Sequence, residues 1–248
     1  MEVIGIIDTN KYKIQELEWD TNFFNVNCAK VILKKEIDKE EFKNINEYIK
    51  ENKIKFVTIQ NDNNNETNNK LLGSIKGVYL ADVNIQFVKK VNKKQDNNIE
   101  NNIRISNNLP ENINILDISN SSFVYSRFLR DNHFKNGNQV YKEWAKNSFN
   151  KKDKFFCYYN IDGKTIGFIL FKKDDENIII VELMAIEQKY RNKGIGTRLL
   201  NKLESYAVKK DIEYIKVGTQ LNNIEAQNFY IKNNFKHLQN NSIYHWIK

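Results

Sequence analysis

The sequence predicts an α/β chain whose larger part has helices flanking a mixed, mostly antiparallel sheet, preceded by a smaller N-terminal α/β domain. Three observations carry this. Strand-like apolar runs and runs at helical spacing succeed one another along most of the 248 residues. Asp162-Gly163, a dipeptide suited to a type I′ turn, joins two strand-like runs into a hairpin. A third strand-like run leads into Arg191-Asn192-Lys193-Gly194-Ile195-Gly196 and continues as a helix. Two glycines between a strand and a helix allow consecutive backbone N–H groups to converge on one point.

In order, Lys13 to Leu17 and Cys28 to Leu33 read as strands, with a polar-aromatic turn over Trp19 to Phe24. Asp38 with Glu41 three residues on is a capping-box pattern, and Phe42, Ile45 and Ile49 then recur at helical spacing, so 39–51 is a helix. Phe56 to Ile59 is a buried strand, Asn61 to Asn69 an Asn-rich loop, Leu71 to Ile75 a short helix and Val78 to Val88 a strand. Lys89 to Asn114 reads as a surface connection and holds the only proline, Pro110, so the domains are expected at 1–110 and 111–248. Helical segments follow at Ser119 to Arg130 and Gln139 to Phe149, then the hairpin Phe155 to Ile161 and Thr165 to Lys172, and the strand Ile178 to Ile186. Ile195, Leu199, Leu203 and Tyr206 mark the inner face of a helix over Ile195 to Lys209. A strand over Ile212 to Val217, a helix from Ile224 to Asn233 and a final strand pair complete the chain.

A net charge of +8 invites a nucleic-acid reading, but the charges alternate in sign along helices and form no basic block. Abundant Lys, Asn and Ile with scarce Pro and Gly match what AT-rich coding sequence produces. Cys28 and Cys157 lie far apart, and His133, His237 and His245 show no metal-ligand spacing, so neither a disulfide framework nor a metal is expected. Met1 to Asn10 has too short an apolar run for a signal peptide, and no stretch approaches the ~20 apolar residues that span a membrane. A cytoplasmic protein without nucleic-acid or membrane partners is expected, with a homodimer left open.

The helix that begins after Lys193 offers unpaired N–H groups and a positive dipole end where a pyrophosphate fits. The spacing is neither a Walker loop nor a dinucleotide fingerprint. Downstream come Asn223-Ile224-Glu225-Ala226 and Phe229-Tyr230-Ile231-Lys232-Asn233-Asn234-Phe235. Glycine loop, helix, strand, Asn-x-x-Ala and Tyr before Phe together resemble the GCN5-related N-acetyltransferase (GNAT) superfamily over roughly the last 130 residues. Val217-Gly218-Thr219-Gln220 with Asn223 and Ala226 is similar to its dTDP-fucosamine acetyltransferase branch. So are Ser126-Arg127-Phe128 with Asp131, Phe134, Tyr141, Trp144 and Asn147-Ser148, and Trp19-Asp20-Thr21-Asn22-Phe23-Phe24.

The resemblance implies a GNAT fold, acetyl-CoA as donor, no metal, and the amino group of a nucleotide-linked amino sugar, a dTDP-4-amino-4,6-dideoxyhexose, as acceptor. It implies that Tyr230 protonates the leaving thiolate, against a packed aromatic as the plain alternative. The backbone of Met184, Ala185 and Ile186 should pair with the pantetheine amides on a bulged strand. Arg191, Asn192, Lys193, Gly194, Ile195, Gly196 and Thr197 should cradle the phosphates, the two cations being equally explicable as solvated. Asn223 should contact the pantetheine arm, or cap a helix, or both. Glu182 is a candidate base, which would need a raised pKa or a water relay, or else an exposed strand residue or a sugar-binding group. Arg127 is placed to grip the nucleotide diphosphate, or to pair with Asp131. Tyr141 and Trp144 either stack on the acceptor or belong to the core, and core is the better account of this pair. Other acceptors (an antibiotic, a polyamine, a protein) and a non-catalytic acyl-CoA-binding module are the competing readings.

Overall fold

The computed structural model describes residues 5–92, 101–131, 133–134, 136–174 and 176–248. The chain folds as two units, one of Met1–Ile85 with Gln239–Lys248, the other of Gln86–Leu238. The expected division at 110/111 thus falls at 85/86 instead, and the last ten residues return to the first unit. The elements in chain order are β1 (Ile6–Asp8), β2 (Tyr12–Glu16), α1 (Glu18–Phe24), β3 (Cys28–Leu33), α2 (Lys39–Glu51), β4 (Phe56–Asn61), α3 (Glu66–Gly73), β5 (Val78–Lys90), β6 (Ile103–Ser106), α4 (Ile113–Ser122), α5 (Arg127–Arg130), α6 (Val140–Lys146), β7 (Phe155–Ile161), β8 (Lys164–Lys173), β9 (Ile178–Ile186), α7 (Ile195–Lys209), β10 (Tyr214–Gln220), α8 (Ile224–Lys232) and β11 (Lys236–Ile247).

In the first unit, β2 pairs antiparallel with β1 and β3, β3 runs parallel to β4, and β4 pairs antiparallel with Ser242–Ile247 of β11. The α2 capping box forms as expected: Glu41 N donates to Asp38 Oδ1 and Asp38 N donates to Glu41 Oε2, each at 2.9 Å. Phe42, Ile45 and Ile49 of α2 pack into a core with Ile14, Val31, Val57 and Trp246. The turn expected over Trp19 to Phe24 is the helix α1. Trp19 and Phe23, four residues apart, stack at 5.1 Å, two acidic residues sit at its positive end, and Asn25 stops it at φ 57°. The loop expected over Asn61 to Asn69 is likewise structured. Asn65 caps α3 through Asn68 N, and Asn61 and Asn68 are fully buried because their amides satisfy one another and the Lys35 carbonyl.

In the second unit, β6, β7, β8 and β9 form antiparallel pairs and β10 joins β9 in parallel. Asp162 and Gly163 both have positive φ, 49° and 78°, as a type I′ turn requires. β6 lies inside the segment expected to be a surface connection. Its alternation of Ile103, Arg104, Ile105 and Ser106 is too short to stand out among Asn and Lys, and residues 93–100 of that segment lie outside the described ones. The final strand pair is instead one strand, β11, within which no residue takes a positive φ that would turn the chain back.

Side chains on the two faces of this sheet meet different helices. Phe155 of β7 and Phe171 of β8 pack on Tyr206 of α7, while α4 packs on β8 and β9. The buried face of α7 carries Ile195, Leu199 and Leu203 as expected, and also Glu204. This carboxylate, 1% exposed, takes a salt bridge from Lys89 Nζ at 2.6 Å and a hydrogen bond from Asn92 N at 3.0 Å. A buried charge so paired is tolerated, where an unpaired one is not.

Candidate active site

Strand β9 loses one of its two partners halfway along. Its parallel pairing with β10 covers Ile178–Val181 against Tyr214–Val217. On its other side, Leu170 of β8 faces Leu183 but Phe171 faces Val181, so Glu182 is the extra residue of a β-bulge. Beyond the bulge, Leu183, Met184, Ala185 and Ile186 remain paired with β8. Their main chain past the end of the β10 ladder is the edge that a pantetheine arm would extend.

The chain leaves β9 through a 3-10 turn, Gln188–Tyr190, and enters α7. Asn192 and Gly194 have positive φ, 60° and 76°. Gly194 is the N-cap of α7, no side chain caps that helix, and Arg198 N donates to the Gly194 carbonyl at 3.1 Å. The N–H groups of Ile195, Gly196 and Thr197 therefore stand at an uncapped, positive helix end. Gly194 is exposed, and a Cβ placed there would meet nothing within 4 Å. These features fit a pyrophosphate.

The two glycines do different work. Gly196 is buried and helical, and a Cβ there would lie 2.9 Å from Cε2 and Cζ of Phe229 and 3.3 Å from Cδ1 of Ile186. Gly196 is small so that α8 can approach α7, whereas Gly194 supplies the backbone turn.

The Arg191 guanidinium faces protein: Nε donates to the Ile186 carbonyl at 3.1 Å and Nη2 donates to Ser122 Oγ at 3.3 Å. Asn192, Lys193 and Thr197 are exposed, and the Lys193 ammonium lies 5.5 Å from the Tyr190 ring centroid. Asn223 caps α8, accepting from Ala226 N at 3.1 Å.

Tyr230 follows Phe229 on α8 and is 6% exposed. Its ring lies 5.8 Å from Phe87, 5.4 Å from Phe229 and 5.5 Å from Phe235. Burial among these rings raises the phenol above its usual range, so it holds its proton. Through Phe229, Gly196 and Ile186, this phenol is joined by direct packing to the glycine loop and the end of β9.

Glu182, at the bulge, is ion-paired through Oε1 with Lys154 Nζ, and its Oε2 is buried without a partner. Lys154 was not singled out in sequence, since it belongs to the run Lys151-Lys152-Asp153-Lys154 and nothing separates it from solvated lysines. Arg127 is half-buried at the start of α5, its guanidinium carbon 4.3 Å from the Phe128 ring centroid and its Nε buried without a partner. Asp131 is paired with His133 Nδ1 at 2.7 Å. Tyr141 is 8% exposed and stacks between Phe123, at 4.3 Å and 20°, and Trp144, at 6.2 Å and 10°. Phe123 and Tyr141 line a small pocket of about 40 Å³ together with Ser119, Asn120, Val124 and Asn138. Phe123 carried no sequence signal, being one aromatic at the end of a helix.

Among the described residues no group of three or more His, Cys, Asp or Glu side chains is placed to hold a metal ion, and no helix is long and apolar enough to cross a membrane.

Residues 116–235 match the family model for acetyltransferases of the GNAT family. The chain is 28% identical over 134 residues to the spore coat polysaccharide biosynthesis protein SpsD of Bacillus subtilis (strain 168), covering 53% of this chain and 46% of that protein. It is 34% identical over 80 residues to streptothricin acetyltransferase A of the same organism, covering 32% of this chain and 46% of that one. The chain thus spans about half the length of the curated relatives it matches. A functionally unknown conserved protein from Staphylococcus epidermidis ATCC 12228 shares the fold with a TM-score of 0.69 at 13% identity, covering 100% of this chain and 96% of the other. A GCN5-related N-acetyltransferase from Sphaerobacter thermophilus does so at 0.61 and 10%, covering 96% and 76%. A bulged strand, a glycine loop that opens α7 and a buried Tyr230 on α8 thus coincide with the matched segment, and the chain carries an acetyltransferase domain of the GNAT family.

Proposed function

We propose that the chain transfers acetyl from acetyl-CoA directly to the amino group of a nucleotide-linked amino sugar, a dTDP-4-amino-4,6-dideoxyhexose. The observation that carries the donor half is the uncapped α7 end beneath Gly194, open to an anion and packed through Gly196 and Phe229 to Tyr230. The acceptor half rests on the polysaccharide-related relative and on Arg127.

Acetyl-CoA supplies the thioester; the rest is done by groups of the chain. Glu182 Oε2 takes a proton from the acceptor ammonium and frees the lone pair. N–H groups along β9 at the bulge stabilise charge on the carbonyl oxygen. As the C–N bond forms and the C–S bond breaks, Tyr230, kept protonated by burial, gives its proton to the departing sulfur, and the proton that the new amide nitrogen sheds restores the phenol. Transfer without a covalent acyl-enzyme is supported by the cysteines, since burial pushes the Cys28 thiol up to about 12 and raises that of Cys157 as well, leaving no ready thiolate. The protein is read as cytoplasmic, where nucleotide sugars are made.

A second reading, acetylation of an antibiotic amine, is favoured by the streptothricin acetyltransferase relative. Thiol release from acetyl-CoA, measured with dTDP- and UDP-linked 4-amino sugars, a streptothricin and a polyamine, separates them. Release with the dTDP sugar above all others is the expected result. Release with the antibiotic or polyamine alone transfers the assignment to that amine. Calorimetric binding of CoA with no release for any amine leaves a non-catalytic acyl-CoA-binding module.

A further inference from the structure

We infer that Arg191 is a positioning residue that ties the glycine loop to the Phe123–Tyr141–Trp144 stack, so that CoA on the loop sets the acceptor-side wall. The inference rests on the proposed reading of the loop as the CoA site and takes the small pocket walled by Phe123 and Tyr141 as the acceptor side. Its warrant is where one side chain spends its donors. Nε holds the Ile186 carbonyl at the end of β9, and Nη2 holds Ser122 Oγ on the last residue of α4. A guanidinium is a rigid planar fork, so neither bond can shift without loading the other.

Each end of this strut meets something with a role of its own. On the loop side, the next residues are Asn192 and Gly194, whose positive φ angles shape the entrance to α7. On the helix side, the residue after Ser122 is Phe123, which stacks on Tyr141, which in turn stacks on Trp144. Interplanar angles of 20° and 10° make the three rings a ladder that moves together. Phe123 and Tyr141 wall the small pocket, and the indole at the far end of the ladder is 37% exposed. An anion drawn to the α7 end acts on the backbone to which Arg191 is attached, and the strut carries that displacement to the wall. This also explains why a cation beside a phosphate site is committed to protein acceptors.

The chain labelled with 5-fluorotryptophan tests this, because it has three tryptophans and Trp144→Phe identifies the 19F line that matters. Saturating CoA should move the Trp144 line of the native chain. In Ser122→Ala the movement should fall by at least about half, while calorimetry gives a CoA Kd within about threefold of native, since the lost bond is remote from the phosphates. Arg191→Lys should lose the movement too, because an ammonium cannot hold both acceptors in one plane. The double variant should lose no more than either single one, the signature of a shared interaction. CoA that binds but leaves the native Trp144 line unmoved, or moves it equally in the variants, overturns the strut and spares the CoA site. No CoA binding by calorimetry overturns both.

Discussion

Around the start of α7, the geometry is made by the main chain; between α4 and α6, it is made by side chains. The first region needs a positive φ at Asn192 and Gly194, three N–H groups at a helix end and a strand edge freed by a bulge. The second needs Phe123, Tyr141 and Trp144 to stack, a half-buried Arg127 beside Phe128, and two short segments, α5 and α6, with a 3-10 turn between them. A main-chain cradle suits what every acyl-CoA shares, its phosphates and amides. A wall of rings and amides is free to change with the acceptor. On the proposed reading, donor recognition and acceptor choice therefore depend on separate parts of the sequence, with Arg191 holding one to the other.

The sharpest way to break this division is Tyr230→Phe. If the chemistry belongs to the donor side, kcat should drop by ~10²-fold or more with CoA affinity unchanged within about a factor of two, because a general acid acts mainly in the transition state. The pH profile carries a second sign. Burial raises the phenol from its usual 10.0, so the acid form persists through neutral pH and no basic limb below that value belongs to Tyr230. A variant within about twofold of native turnover would remove the phenol from the proton transfer.

Arg127→Ala tests the acceptor side. Loss of a charge-assisted, bidentate grip should raise KM for the dTDP sugar by roughly ten- to a hundredfold and spare KM for acetyl-CoA. Lysine should restore only part of it. Equal damage with the free amino sugar, which has no diphosphate, would make Arg127 a shaper of the pocket through its contact with Phe128 rather than a phosphate ligand.

How much of this was legible in sequence depends on the same distinction. The limits of β3, α2, β9 and α7 coincide with those read from periodicity and caps, since Cys28–Leu33, Lys39–Glu51, Ile178–Ile186 and Ile195–Lys209 each satisfy a local rule along their length. Short elements and buried polar contacts are hard to read from pattern. The α1 helix has only seven residues, too few for its Trp19–Phe23 pair and acidic first turn to stand out, and the buried asparagines of β4 and α3 are soluble-looking residues satisfied by one another. In the site, the glycine pattern was visible but its division of labour was not. A missing Cβ reads the same whether the cause is a positive φ, as at Gly194, or a neighbouring ring, as at Gly196. The partners of Glu182, Arg191 and Glu204 were invisible because ion pairs and struts across a fold leave no spacing signal.

That division of labour is itself a prediction. Gly196→Ala should cost about 1–3 kcal/mol of stability, since its methyl would need the Phe229 ring to retreat from 2.9 Å, and turnover should fall as Tyr230 shifts with its neighbour. Gly194→Ala has space for its methyl but not the conformation, at about 1–2 kcal/mol. Its main effect should be weaker CoA binding, as the backbone relaxes away from φ 76° and the N–H groups diverge. Thermal unfolding and CoA calorimetry on both variants should therefore show a larger loss of CoA affinity, relative to the stability lost, in Gly194→Ala than in Gly196→Ala. An equal ratio in the two would mean that the two glycines serve one purpose.

The smallest effect belongs to Lys193, and its smallness is the point. The side chain is exposed beside the Tyr190 ring, and exposed ion pairs contribute about 0.2–1 kcal/mol, or at most roughly fivefold in affinity. Lys193→Ala should weaken CoA by no more than that at low salt. The difference should vanish near 0.5 M salt, where the screening length falls to about 4 Å. On the proposed reading, the affinity left at high salt is what the α7 N–H groups supply, because neutral donors at a helix end depend less on salt than an exposed ammonium does. If Lys193→Ala instead lowers affinity by more than about tenfold, and does so at both salt concentrations, then the phosphates are held by side-chain charge. The contrast between a main-chain cradle and a side-chain wall would then fail on the side where it is strongest.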